Sequence, residues 1–398
     1  LEEWKIIRFL NTTNSYVVVN SSSINIQDLV NSKLKNLSEN QSYLELTNYK
    51  ENIVLAKRHY QEKGIMRWMG KFLIHSLTNL NTIENNGVSK AVANFILLAK
   101  ESLSEKEIQG LSTKFPKYIL AKTDSYKEID TWARELFVLQ QIKKDQTMLM
   151  FDSASNKEFE VRYNHVYKQL DKIFNKSFDS VNWYYLGKKY QNKQLSVIAS
   201  DIADEMFSQC PKIFNELVVR NEISSSAASG RKKLLEKMLE NPELENLGIE
   251  KFPAEKAIYL SCLKRLGMHE LNTEKNKWEF VIPKADKNEN HKLVKELLET
   301  GFDTIKNNKQ LISIEDLYKK ARWASEPFGL PQGILPIFAM ALLQAKKDHL
   351  AFYDKDVTQE YCFISDMDEE FINKLIKRPH EVAVKYVKTS SEKEDFLL

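Results

Sequence analysis

The sequence predicts a helix-rich α+β protein. Three observations carry that expectation. A loop dense in Pro and Gly, Pro327-Phe328-Gly329-Leu330-Pro331-Gln332-Gly333-Ile334-Leu335-Pro336, opens onto residues 337–345, a helix-length run that is apolar almost all round. A helix apolar on every side has to be buried. Two extended runs follow, Leu350-Ala351-Phe352-Tyr353 and Tyr361-Cys362-Phe363-Ile364, separated by a turn at Asp354-Lys355-Asp356. Between residues 91 and 144, strand-like and helical patterns alternate in the order expected of a parallel sheet with helical crossovers.

Residues 1–145 read as a small α/β domain. Tyr16-Val17-Val18-Val19 is a short β-branched run, and residues 52–63 read as a helix on which Arg58 and Glu62 can pair. Residues 91–99 and 118–121 read as buried strands. Between them Ser104 can cap a helix whose Glu107 completes a capping box. An amphipathic helix over 124–144 follows, with Ile129, Trp132, Leu136, Leu139 and Ile142 on one face. These are too few strands for a complete nucleotide-binding domain. Residues 146–222 turn helical and read as a connector.

Residues 223–284 then give a first helix–helix–hairpin unit. Ser224-Ser225-Ser226 caps one helix, Pro253 opens another that runs to Leu266, and Gly267 ends it. His269-Glu270-Leu271 and Trp278-Glu279-Phe280-Val281-Ile282 form hairpin arms around a turn near Lys275-Asn276. Residues 285–398 repeat the layout. Ser313 caps a helix over 314–324, the Pro/Gly loop leads to the apolar helix, and a hairpin ends near Ile364. A closing helix over 368–377, an edge strand over 382–387 and a polar, frayed tail from Thr389 complete it. Helix–helix–hairpin is the layout of a winged-helix unit, so two winged-helix-like units are expected.

Composition sets outer bounds. A chain of 398 residues exceeds one ordinary core. Hydrophobic content of 42% and charged content of 28% are those of an ordinary globular chain. The 58 basic residues nearly balance the 55 acidic ones. That excludes a surface committed throughout to nucleic acid and leaves room only for a local basic face. Cys210, Cys262 and Cys362 are odd in number and form no CxxC pair, which fits buried thiols in a reduced, cytoplasmic setting. No apolar run reaches the roughly 18–20 residues a membrane span requires, so no membrane partner is expected. The chain begins at Leu1, and a longer parent protein is expected.

No constellation of catalytic residues emerges. A phosphate-binding loop needs GxxxxGK[ST]; Gly70-Lys71 and Gly230-Arg231-Lys232 lack the earlier Gly and the Ser/Thr that would ligate magnesium. The seven histidines are scattered and no metal-ligand spacing occurs, so no cofactor, metal or catalytic residue is assigned. Two binding surfaces can be read. Arg58, Tyr60, Arg67 and Trp68 are of the types enriched at interface hot spots and mark a partner-docking surface; the alternative is an ordinary ion pair beside a core Trp68. Lys256, Lys264 and Arg265 fall on the second helix of the first unit, the groove-entering position of DNA-binding members of that layout, with Lys275 and Lys277 on the hairpin. Against nucleic acid, Ala257, Ile258, Leu260, Leu263 and Leu266 occupy much of that helix. The apolar helix of the second unit has no basic residue until Lys346 and is not suited to a groove.

Cys210-Pro211-Lys212-Ile213-Phe214-Asn215-Glu216-Leu217-Val218-Val219-Arg220-Asn221, with Ser224 to Ala228 and Arg231-Lys232-Lys233-Leu234-Leu235-Glu236, resembles a segment of very large P-loop ATPases of bacterial phage-defence islands, of bacteriophage-exclusion type. Leu247-Gly248-Ile249-Glu250, Ile258-Tyr259-Leu260 and Pro327-Phe328-Gly329-Leu330 are similar to later blocks of those proteins, and Arg58-His59-Tyr60 with Arg67-Trp68 to an earlier one. The resemblance implies a C-terminal region downstream of an ATPase core that this chain does not contain. It implies a non-catalytic part that relays the binding of protein domains, subunits or nucleic acid to the motor. No position here matches the family's ATP-binding residues. Two rivals stand: a free-standing winged-helix DNA-binding regulator, and an enzyme with an unfamiliar site at the carboxyl edge of the α/β sheet.

Overall fold

The computed structural model describes residues 7–10, 15–18, 26–37, 43, 53–75, 77–79, 91–99, 103–145 and 153–388. Val19, Asn52 and the tail from Thr389, each used in the sequence reading, lie outside them. The described residues form twelve α-helices and four sheets, a helix-rich α+β fold. They divide into two compact units: Leu1–Ala56 with Trp68–Ala199, and Lys57–Arg67 with Ser200–Leu398.

The first unit is built on a six-stranded sheet. In chain order its elements are the hairpin β1 (Ile7–Leu10) and β2 (Ser15–Val18), α1 (Ile26–Lys35), β3 (Ile53–Leu55) and β4 (Trp68–Ile74). Then come β5 (Asn94–Leu98) and β6 (Tyr118–Lys122). Strands β4, β5 and β6 pair in parallel, with Gly70 opposite Asn94 and Asn94 opposite Tyr118. Such strands are covered on both faces, which is why Phe95, Ile96, Leu97 and Leu98 form an unbroken apolar run and are all buried. The helix between β5 and β6, Glu105–Lys114, starts with the expected capping box. Ser104 Oγ accepts from the Glu107 N–H while Glu107 receives the Ser104 N–H at 2.7 Å. Helix Tyr126–Lys144 buries Ile129, Leu136, Leu139 and Ile142 as predicted; Trp132 is only half-buried and packs edge-on against His165.

Two expectations for this region are corrected. The helix over 52–63 begins only at Lys57, because the β-branched Ile53-Val54 and Leu55 pair with β4 as a strand. The stretch 146–222 is not a purely helical connector. After helix Ser153–Asp179, residues Trp183–Tyr185 (β7) and Lys188–Tyr190 (β8) extend the sheet, with β7 antiparallel to β6. Their two-residue turn, Leu186-Gly187, has φ of 46° and 80°, the handedness that matches strand twist. Leucine is an uncommon residue there, so the turn carries no Asn-Gly signal and the helical periodicity around it dominates. Trp183 donates its indole N–H to the Phe178 carbonyl and packs edge-on against Phe95, which anchors the hairpin in the core.

In the second unit helix–helix–hairpin order occurs twice. Helix Ser225–Glu240 is capped by Ser224. Helix Ala254–Tyr259 runs into a wide π-turn, Leu260–Lys264, and Gly267 ends it at φ 72°, where a side chain would meet the His291 ring at 2.8 Å. The hairpin pairs β9 (His269–Asn272) with β10 (Lys277–Phe280). Helix Glu289–Asn307 then leads to β11 (Ile312–Ser313) and helix Ile314–Lys320, which stops short of the predicted Ala324 as Arg322 turns to φ 59°. The apolar helix, Leu335–Ala345, is buried at every residue from Leu335 to Leu343. Strands β12 (Leu350–Lys355) and β13 (Tyr361–Ile364) form the second hairpin. Its turn falls at 356–360 rather than 354–356, because Asp356 Oδ1 accepts from the Thr358 N–H at 2.8 Å and the Glu360 N–H at 3.2 Å. Helix Glu369–Lys377 leads to β14 (Val382–Tyr386), which is not an edge strand. The sheet order is β11-β14-β12-β13, and Val382, Ala383 and Val384 are buried at its centre.

The apolar helix packs on helix Ser225–Glu240, on strand β10 and on helix Glu289–Asn307, so the sequence boundary at 284/285 falls inside one compact unit. Leu342 is fully buried there. Replacing it with Ala should cost about 2–5 kcal/mol, read as a lowered denaturation midpoint of the second unit. An unchanged midpoint would show that this helix does not hold the core.

Candidate functional site

The segment Lys57–Arg67 carries most of the residues expected to dock a partner. Arg58 spans two carboxylates of helix Leu195–Met206: Nη1 lies 3.0 Å from Asp201 Oδ1 and Nη2 2.6 Å from Asp204 Oδ2. It therefore does not form the predicted pair with Glu62; two carboxylates in a fork-matched position outweigh one along an exposed helix. His59 Nδ1 sits 2.7 Å from the other oxygen of Asp204. The Tyr60 hydroxyl donates to Glu216. Arg67 stacks on Phe207, with its guanidinium carbon 3.9 Å from the ring centroid, and donates to the Gly329 carbonyl. Between these contacts the Ile213 N–H donates to the Lys63 carbonyl at 2.8 Å. Gly64 follows at φ 77°, where a Cβ would collide with the Ile213 carbonyl at 2.1 Å. Trp68 opens strand β4 and is half-buried.

The polar ends of Arg58, Tyr60 and Arg67 are thus spent within the protein. His59 beside Asp204 has the form of an oriented base, yet its imidazole is fully buried and Nε2 has no partner. Burial holds its pKa below the ordinary value against the pull of Asp204. In this arrangement Nε2 is closed off from solvent, and the dyad fastens the segment in place.

The five cations of the first hairpin unit are also placed. Lys256 Nζ donates to the Ile249 carbonyl at 2.9 Å and lies over the Phe252 ring. Lys264 Nζ lies 3.2 Å from Glu245 and over the Trp278 ring, and Lys277 pairs with Glu243 at 2.8 Å. Arg265 is exposed beside Phe214, and Lys275 is exposed at the hairpin turn. Three of the five contact neighbours, and exposed apolar side chains occur in the same unit beside exposed carboxylates: Phe252 is 86% exposed, Leu244 51% and Leu271 45%.

Several structuring residues carry no motif in the sequence. Asn215 Nδ2 donates to Ser261 Oγ at 2.7 Å and to the Ala257 carbonyl at 3.2 Å, and Ser261 Oγ donates to that same carbonyl. These side-chain bonds reach the Ala257 carbonyl just before the helix widens into the π-turn. Arg231 lies in register with the buried Ala227, Leu234 and Met238 and donates to the carbonyls of Gln332 and Gly333. That register is a signal the sequence did offer: an Arg on an apolar helix face. The near-matches to a phosphate loop fall on strand β4 and on helix Ser225–Glu240, not on loops.

At the carboxyl ends of the parallel strands, Thr123 Oγ1 accepts from the Ser125 N–H, His75 packs edge-on against Tyr126, and Arg134 pairs with Asp130 at 2.6 Å. Among the described residues no three His, Cys, Asp or Glu side chains could jointly hold a metal ion. No helix among them is long and apolar enough to cross a membrane. Compared with protein families, curated proteins and solved structures, the chain matches none.

His269 gives this region a pH dependence. It is buried, its Nδ1 lies 2.8 Å from the Tyr259 hydroxyl and its Nε2 2.8 Å from the Pro242 carbonyl. In the neutral ring Nε2–H donates to the carbonyl and Nδ1 accepts from the tyrosine. Burial lowers its pKa, so its contribution is complete above the unfolded-state value of about 6.5 and is lost as pH falls below it. Urea midpoints between pH 7.5 and 5 should drop for wild type and drop less steeply for His269→Gln. Equal slopes would remove His269 from this role.

Proposed function

We propose that this chain is a non-catalytic, partner-binding region of a larger P-loop ATPase of phage-defence type. Its two helix–helix–hairpin assemblies serve as winged-helix modules for protein contacts. The family assignment rests on the sequence resemblance. The choice of protein over nucleic acid rests on one observation: Lys256 donates to a backbone carbonyl, and Lys264 and Lys277 pair with surface glutamates, while Phe252, Leu244 and Leu271 face solvent. Exposed apolar side chains ringed by satisfied charges suit a desolvated protein interface, whereas phosphate contacts require free cations.

The reading is tested with the ATPase region that it expects upstream in the same gene. Added in trans, the chain should change the ATP turnover of that region, and Phe252→Asp/Leu271→Asp should abolish the effect. An upstream sequence without a phosphate-binding loop, or a turnover indifferent to the chain, would sink it. With magnesium and ATP, the chain alone should stay at background.

A second reading, a winged-helix regulator of DNA, is favoured only by the exposed Arg265 and Lys275. Labelled duplex titrated at two salt concentrations separates the two. The protein-docking reading expects no saturable binding even at low salt. Salt-sensitive binding that disappears in Lys256→Glu/Lys264→Glu, with a log–log slope near −0.9 per neutralised phosphate, would establish the DNA reading instead.

A further inference from the structure

We infer that strand β13, Tyr361–Ile364, is a docking edge that takes up an extended, basic peptide segment as a fifth strand of its sheet. This goes beyond the surface of the first hairpin unit and does not depend on it. In the order β11-β14-β12-β13, β13 is an edge. The Asp356 N–H donates to the Glu360 carbonyl, and Asp354 stands opposite Cys362. Antiparallel pairs alternate between hydrogen-bonded and open, so Glu360, Cys362 and Ile364 direct their backbone groups toward β12. Tyr361 and Phe363 direct theirs outward.

Natural sheets guard such edges with lysine, proline, a bulge or brevity. The other edges of the two larger sheets follow this rule. Strand β8 carries Lys188 and Lys189, β3 has three residues and β11 two. Strand β13, four residues long, carries neither lysine nor proline. Its sequence, Tyr-Cys-Phe-Ile, is of strongly strand-forming types, and Phe363 is 65% exposed.

Charge says what covers it. Glu360 and Asp366 are exposed at the two ends of the strand, and neither carboxylate has an ion-pair partner among the described residues. The nearby cations are committed: Lys374 to Asp354 and Glu370, and Lys355 over the Tyr361 ring. A second copy of this edge would bring the same carboxylates together and be repelled. A strand with a cation at each end and an apolar centre over Phe363 meets both the charges and the open backbone, the strand-addition mode of peptide recognition.

The test uses the full chain and a fluorescein-labelled peptide, Lys-Val-Thr-Val-Thr-Val-Lys, with Glu-Val-Thr-Val-Thr-Val-Glu as its charge-reversed control. Anisotropy should show saturable binding of the lysine peptide below about 1 mM and at least about tenfold weaker binding of the control. Phe363→Pro removes one outward N–H without touching a bond to β12 and should abolish binding. Phe363→Lys adds a guarding cation and should do the same, so the inference stays testable if the proline variant fails to match the wild-type melt. Absence of binding, equal binding of both peptides, or binding that survives Phe363→Lys would overturn it. So would concentration-dependent dimerisation in sedimentation that Phe363→Lys abolishes, since the edge would then belong to a second copy.

Discussion

A helix apolar on every side must be walled in on every side, and the second unit is organised around meeting that demand for Leu335–Ala345. No single neighbour can cover it. The walls come from helix Ser225–Glu240, strand β10 and helix Glu289–Asn307, elements that lie far apart in the sequence. Burial of nine consecutive residues, Leu335 to Leu343, thereby joins two assemblies that look like separate modules in the sequence. The loop that delivers the helix is held to match. Arg231 donates to the carbonyls of Gln332 and Gly333, and Arg67 to that of Gly329. Gly329 and Gly333 leave no room for side chains: a Cβ would lie 2.3 Å from the Phe207 ring at the first and 2.2 Å from the Val218 carbonyl at the second.

The use of arginine at these places has a physical logic. Backbone carbonyls in a tight loop need several donors in a fixed geometry, and a guanidinium supplies them without titrating. Among the described residues neither Arg67 nor Arg231 has a carboxylate partner, and the Nε of each is left without an acceptor. Burying a cation this way is costly. The cost is offset by what the two side chains hold, the entry to the most apolar helix in the chain. The buried His59 and His269 follow the same pattern of local polar cost in exchange for fixing a segment, the first through Asp204 and the second through Tyr259 and Pro242.

Much of the architecture was legible because its signals are local. The capping box at Ser104 and Glu107, the caps at Ser224 and Ser313, and the left-handed Gly267 are set by neighbours in sequence. The β7–β8 hairpin was not, because its turn places Leu186 in a conformation that leucine rarely adopts and its strands have only three residues each. The candidate surfaces were legible as residue types but not as chemistry. Arg58 could be picked out, yet its partners Asp201 and Asp204 lie more than a hundred residues away. Lys256 and Lys277 could be placed on a helix and a hairpin, but whether a lysine is free or committed depends on which carbonyl or carboxylate the fold brings beside it.

The sequence by itself determined that this is a helix-rich α+β chain, where its caps fall, and that residues 337–343 would be a core helix. Periodicity and capping are properties of a few adjacent residues and need no tertiary contact. Tertiary structure alone decided that the central strands continue into an antiparallel hairpin and that β14 is internal. It alone decided that three of the five surface cations have partners beside them, and that β13 lies at the edge of its sheet. Each of those depends on which distant segment lies alongside, and pairing between strands or charges remote in sequence leaves no imprint on the local pattern.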